Sequence, residues 1–134
     1  MTKIEKLKSI LNNNSKWPII IQGATAKNFP KAVVLNGDTK SEELGILSTE
    51  NGLVYPNWVN EINEKLKASK KVLLIIDGID KLELADQEKF YGIIKYSGIN
   101  GYKFPAGVQI VMPVEDINKV NRKIFSLSIN FNME

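Results

Sequence analysis

The 134 residues contain neither cysteine nor histidine. The first absence excludes disulfides and thiolate chemistry. The second removes imidazole ligands and bases, so Cys/His zinc sites, Ser-His and Cys-His nucleophile pairs and histidine pH switches all fall together. Arginine is nearly as scarce: Arg122 stands alone among 18 basic residues, although arginine is the side chain that reads bases and phosphates bidentately. The net charge of +3 is spread over scattered lysines, and a nucleic-acid partner is not expected without a basic patch. No apolar run reaches the ~20 residues that cross a bilayer. The opening MTKIEKLKSI alternates charged and apolar residues and lacks the apolar stretch of a secretory leader. A cytoplasmic location and no membrane partner are therefore expected. Any chemistry must come from carboxylates, lysines, hydroxyls or backbone groups.

What is present is ordinary for one globular domain over residues 1–134, with 43% hydrophobic and 25% charged residues. Ile4, Leu7, Ile10 and Leu11 form the stripe of an amphipathic helix over 3–12, which Asn12, Asn13 and Asn14 are expected to stop. WPIII (17–21), KAVVLNG (31–37), KVLLII (71–76) and GVQIVM (107–112) are short, continuously apolar runs. Such runs suit strands buried on both faces of a parallel sheet. In IFSLSINFN (124–132), Phe125, Leu127, Ile129 and Phe131 alternate with polar residues, predicting a single edge strand with one wet face. Between the strands, residues 56–70 place Trp58, Ile62 and Leu66 on one helical face. Residues 84–98 do the same with Leu84, Phe90, Ile93 and Ile94, and end at Gly98. Residues 114–123 predict a shorter helix with Ile117, Val120 and Ile124 inward. The alternation predicts a three-layer αβα domain around a mostly parallel five-stranded sheet.

Several words in this order carry a resemblance. FPKAVVLNGDTKSEELGI (29–46), GLVYPNWVNEIN (52–63), VLLIIDGIDKL (72–82), INGYKFPAGVQIVMPVED (99–116) and VNRKIFSLSINF (120–131) resemble the dynein-related, MoxR-like branch of the AAA+ ATPases. They correspond to its second strand, its Pro-x-Trp helix start, its Walker B strand, its sensor-1 strand and its fifth strand. The resemblance spans about residues 17–131. It implies a P-loop NTPase fold.

The departures bear on activity. Where the family has a glycine-rich loop, a lysine and a helix, IIIQGATAKNFPKAVV passes from strand one to strand two through about nine residues. The Walker B aspartate position, Asp77, is followed by Gly78 rather than by a glutamate. Glu115 stands near the sensor-1 asparagine, and the 134 residues end where the helical lid would begin. Phosphoryl transfer rests on positioning and on electrostatic stabilisation of the phosphates, which a P-loop supplies through backbone N–H groups and a lysine. A degenerate, non-catalytic domain without nucleotide cofactor is expected, serving as an interaction or scaffold module. Its partner would be another protein, such as an active AAA+ ATPase. The sequence leaves the oligomeric state open.

Four groups of residues are candidates for a site. Asp77 and Asp80 form D-x-x-D at the end of a central strand, where open α/β sheets place ligands. With Glu115 or Asp116 as a third acid they would hold magnesium, the basis of an alternative reading as a magnesium-dependent phosphate-ester hydrolase. D-G-x-D is also similar to the magnesium loops of Toprim and phosphatase domains. The structural reading has Asp80 capping its own helix with Glu83, and Asp77 accepting N–H groups of the Gly78 turn. Gly23, Ala24, Thr25 and Lys27 read either as a shrunken phosphate loop or as a plain connection. Tyr91, Tyr96, Tyr102 and Phe104 concentrate aromatics with glycines, as at protein interfaces, while core packing accounts for part of them. Arg122 is either a degenerate arginine finger or a helix-end arginine answering the helix dipole.

Overall fold

A computed structural model describes residues 2–12, 17–45, 47–50, 52–99 and 102–133. Its centre is a five-stranded sheet, all pairings parallel. The strands are β1 (Ile19–Gln22), β2 (Val33–Asn36), β3 (Val72–Asp77), β4 (Val108–Val114) and β5 (Ile129–Asn132). They lie in the order β2-β3-β4-β1-β5. The four apolar runs are thus strands as expected, and β5 is an edge. Besides a single helical turn at Ser41–Leu44, the helices are α1 (Lys3–Asn12), α2 (Asn57–Ala68), α3 (Tyr91–Tyr96) and α4 (Arg122–Ser126). Asn13 and Asn14, expected to stop α1, lie outside the described residues.

The two faces of the sheet are covered unequally. Ile20, Val33, Leu35, Leu74, Ile76, Ile110 and Met112 point to the face packed by α2, α3 and α4, where Trp58, Ile62, Phe90, Ile94 and Ile124 complete the larger core. Ile19, Ile21, Ile75 and Val111 point to the other face, which Leu7 of α1 covers with Ala24 and Phe29. Each fully buried aliphatic side chain contributes roughly 1.5–3 kcal/mol.

The connection from β1 to β2, residues 23–32, crosses β4 and β3. Three strand spacings are about 14 Å, and returning along four residues adds about 13 Å. Ten residues extend to ~33 Å, which leaves slack for a short 3-10 turn at Ala26–Asn28. A hairpin between β1 and β2 is avoided, and Phe29 of the crossover packs under the sheet.

Three sequence expectations need correction. Residues 124–132 are not one strand: Arg122–Ser126 is helical, begun by the Asn121 side chain accepting the Lys123 N–H at 2.9 Å, and only Ile129–Asn132 is extended. Phe125 and Leu127 pack half-buried against the larger core from that helix and its end. The expected helix over 114–123 is instead the end of β4, a 3-10 turn at Ile117–Lys119 and the start of α4, although Val120 and Ile124 do point inward. β4 continues through Pro113, which a central strand tolerates here because pairing with β3 ends at Ile75–Val111. In the segment 84–98, Asp86–Phe90 is 3-10, and Leu84 is exposed rather than inward. Ser97, at φ 49°, ends α3. Gly98 serves a different need: a Cβ there would lie 2.1 Å from the Tyr102 carbonyl oxygen, across a two-residue antiparallel pairing.

Candidate functional site

The C-terminal ends of β1, β3 and β4 meet at one edge of the sheet. β3 ends at Asp77, and Gly78, at φ 75°, turns the chain into a 3-10 turn over Ile79–Lys81. Asp80 is buried in that turn, and its carboxylate reaches across to β4 rather than to its own helix. Oδ2 accepts the N–H groups of Glu115 (3.0 Å) and Asp116 (3.1 Å). Gln22, at the end of β1, accepts the next N–H, that of Ile117, at 2.9 Å through Oε1. Three successive amides after β4 are therefore filled by side-chain oxygens of the same chain. Runs of neighbouring N–H groups are what bind anions in this class of sheet; here a carboxylate and an amide oxygen occupy the run.

This corrects the expectation for Asp80. Gly78, not Asp80, stands at the start of the 3-10 turn, so no cap with Glu83 forms. Asp77 contributes its carbonyl to the Gly37 N–H at 2.8 Å; the expected bonds from its carboxylate to the Gly78 turn are not made. A cavity of about 440 Å³ is lined by Asp80, Glu115 and Asp116 but not by Asp77. Glu115 is paired with Lys81 at 3.3 Å, and Asp116 accepts the Asn118 N–H at 3.0 Å. Among the described residues no group of three acids is placed to hold a metal ion. Asp80 Oδ1 is buried and has no hydrogen-bond partner among them.

The residues after β1 are similarly self-contained. The N–H of Gly23 goes to the Val114 carbonyl (3.0 Å), that of Thr25 to Asn28 Oδ1 (2.8 Å) and that of Lys27 to Thr25 Oγ1 (3.3 Å). The Asn28 and Phe29 amides bond the carbonyls of Thr25 and Ala26, both at 3.0 Å. Thr25 and Asn28 form a reciprocal capping box. These amides of the loop are answered by oxygens of the loop itself and of β4.

Sequence reasoning missed two side chains here. Gln22 was visible only as the polar end of an apolar run. Gln87 gave no signal, yet it is fully buried, donating to the Leu82 and Lys119 carbonyls (3.2 and 2.8 Å) and accepting the Asn121 N–H at 2.6 Å. It fastens the segment after β3 to the segment after β4.

The aromatic group divides. Phe104 is buried, edge-on to Trp58 with ring centroids 5.7 Å apart, so it belongs to the core rather than to a surface. Tyr102 is half-buried, its hydroxyl on Asn63 at 3.2 Å and its ring edge-on to Tyr55 at 5.3 Å. Tyr96 is 66% exposed. Lys95 lies 5.6 Å from the Tyr91 ring and 5.4 Å from the Tyr96 ring, and its pKa is raised, first by a hydrogen bond with Tyr91. Tyr96, Ile99, Tyr102 and Gly92 line an open groove of about 730 Å³. Arg122 opens α4, the end where the dipole disfavours a cation. It lies 5.4 Å over the Phe125 ring, which replaces the dipole contact expected of it.

No family model matches the sequence, and no curated protein matches it. Solved structures do. A DNA polymerase III gamma subunit-related protein from Thermotoga maritima aligns with 98% of this chain at a TM-score of 0.55 and 14% identity. NtrX from Brucella abortus aligns with 100% of it at 0.54 and 13%. The fold is AAA+-like. The chain spans 46% and 36% of those two chains, and at such identities the likeness concerns the fold alone. Within this AAA+-like fold, the edge closed by Asp80 and Gln22 is where open α/β sheets place ligands. Among the described residues, no helix is long and apolar enough to cross a membrane.

Proposed function

We propose that the chain is a non-catalytic AAA+-like domain, a pseudo-ATPase core that acts in the cytoplasm as a protein-interaction or scaffold module. One observation carries this reading: the amides that could cradle a polyphosphate are spent on the chain's own oxygens. Gly23, Thr25, Lys27, Asn28 and Phe29 donate to oxygens of the chain itself after β1, and residues 115–117 donate to Asp80 and Gln22. A triphosphate would have to displace these bonds and meet the Asp80 and Asp77 carboxylates. Calorimetric titration with ATP and Mg²⁺ tests the reading. No heat of binding is expected, and micromolar affinity would end it.

The groove beside Tyr96 supports the interaction role, because an exposed tyrosine beside an open, partly apolar concavity is a typical anchor. The partner under this reading is a protein, with an active AAA+ ATPase as the first one to try. Capture from the native host with wild type and Tyr96→Ser should recover a protein that the variant loses. Equal recovery by both would remove Tyr96 from the interface.

The magnesium-dependent hydrolase reading retains one favourable observation, the unpartnered Asp80 Oδ1. Against it, Lys81 and Lys119 line the same cavity. A phosphatase screen with Asp80→Asn as control separates the two, since magnesium-dependent turnover lost in the variant would favour the hydrolase.

A further inference from the structure

A second concavity lies between α1, the crossover and the C-terminal end of α2. It encloses about 550 Å³, within the ~300–1,000 Å³ range of small-molecule sites. Leu11, Phe29, Ala32 and Leu73 give it an apolar lining, while Lys8, Lys31, Lys65 and Lys71 supply its charge. No acidic residue lines it, and none of these lysines makes an ion pair among the described residues.

Lys71 is distinctive among the four. It immediately precedes β3, and its neighbours in the groove include Leu73 and Phe29. Its Nζ is buried, with no hydrogen-bond partner among the described residues. A shielded ammonium that the protein leaves unanswered costs stability and is best relieved by an anion. Burial pushes its pKa below the usual lysine value, in keeping with that geometry. An apolar lining with an unpaired cation and no competing carboxylate matches one ligand chemistry.

We propose that this groove binds a small anionic amphiphile, a carboxylate on an aliphatic or aromatic body, with Lys71 receiving the carboxylate and the Leu11–Phe29 side covering the body. The site lies away from the edge closed by Asp80 and does not depend on the interaction reading.

The test is calorimetric titration of the full chain with decanoate, held below its micelle-forming concentration. Decanol and decyltrimethylammonium serve as head-group controls, and a hexaglutamate peptide as a body-free control. Saturable binding of one decanoate per chain is expected, with decanol at least about tenfold weaker, as the loss of a charge-assisted hydrogen bond predicts. Lys71→Met should abolish the preference for decanoate over decanol, whereas Lys40→Met, an exposed lysine elsewhere, should leave it intact. Ala32→Trp should obstruct the groove with Lys71 still present. The proposal is overturned if decanoate fails to saturate, if decanol binds equally well, or if neither Lys71→Met nor Ala32→Trp changes decanoate binding. It is also overturned if hexaglutamate binds where decanoate does not, since the groove would then serve an acidic protein segment.

Discussion

The two ends of the sheet satisfy buried polarity to different degrees. At the C-terminal edge Asp80 receives two amides, Gln22 a third, Asp116 a fourth, and Glu115 is paired with Lys81. At the groove below α1, the Lys71 ammonium is sheltered from water and has no partner. At the fold's usual ligand edge the chain answers most of its polar groups and leaves Asp80 Oδ1 as the one buried oxygen there without a partner among the described residues, while at the groove a whole ammonium is left unanswered. Demand that the protein does not satisfy marks capacity for a ligand; demand that it does satisfy marks architecture.

The sharpest way to break this comparison is to remove the joint. Asp80→Ala leaves the Glu115 and Asp116 N–H groups without their acceptor, each costing about 1–3 kcal/mol where buried. A loss of about 3 kcal/mol is expected, visible as a fall of roughly 10 °C in Tm for a chain of this size. Gln22→Ala forfeits one amide partner instead of two and should cost about 1 kcal/mol in urea denaturation. If Asp80→Ala were neutral or stabilising, the edge would not be a joint, and Asp80 would have to be explained as a ligand-facing acid.

Much of this is legible in the sequence, and the boundary has physical causes. Apolar runs such as KVLLII and WPIII specify buried parallel strands, because no helical period fits their length. Asp77–Gly78 announced a strand end followed by a turn. The joint itself could not be read: Asp80 finds its partners 35 and 36 residues away and Gln22 finds its own 95 residues away, and no local pattern encodes such a separation. The misread stretch 124–132 shows the converse limit. Its strict alternation satisfied a strand template, but Asn121 caps a helical turn first and Gln87 holds Asn121 in place. Lys71 is the first residue of the run KVLLII. Only the packing of α1 and Phe29 around the groove makes it a sheltered cation.

The smallest expected effect is the most diagnostic of the other end. Replacing an unpaired, sheltered ammonium by an apolar side chain of similar length should stabilise the chain, so Lys71→Met is expected to gain about 1 kcal/mol at pH 7. The sign of its pH dependence follows from the direction of the shift. Burial lowers the folded-state pKa of Lys71 below 10.5, so with rising pH the folded chain releases this proton before the unfolded chain does. Between the two values the unfolded state binds more protons, and stability rises with pH. Below the folded value the cost of the charged form is fully present and constant. Lys8 on α1, Lys31 on the crossover and Lys65 on α2 surround the same groove; they are present in both proteins, so the difference between wild type and Lys71→Met isolates the one group. The advantage of the variant should be full at pH 7 and shrink as pH climbs toward 10.5, measured by urea denaturation at each pH. A gap that stays constant over that range would mean that Lys71 is solvated in the folded chain, and the contrast between the two ends of the sheet would disappear with it.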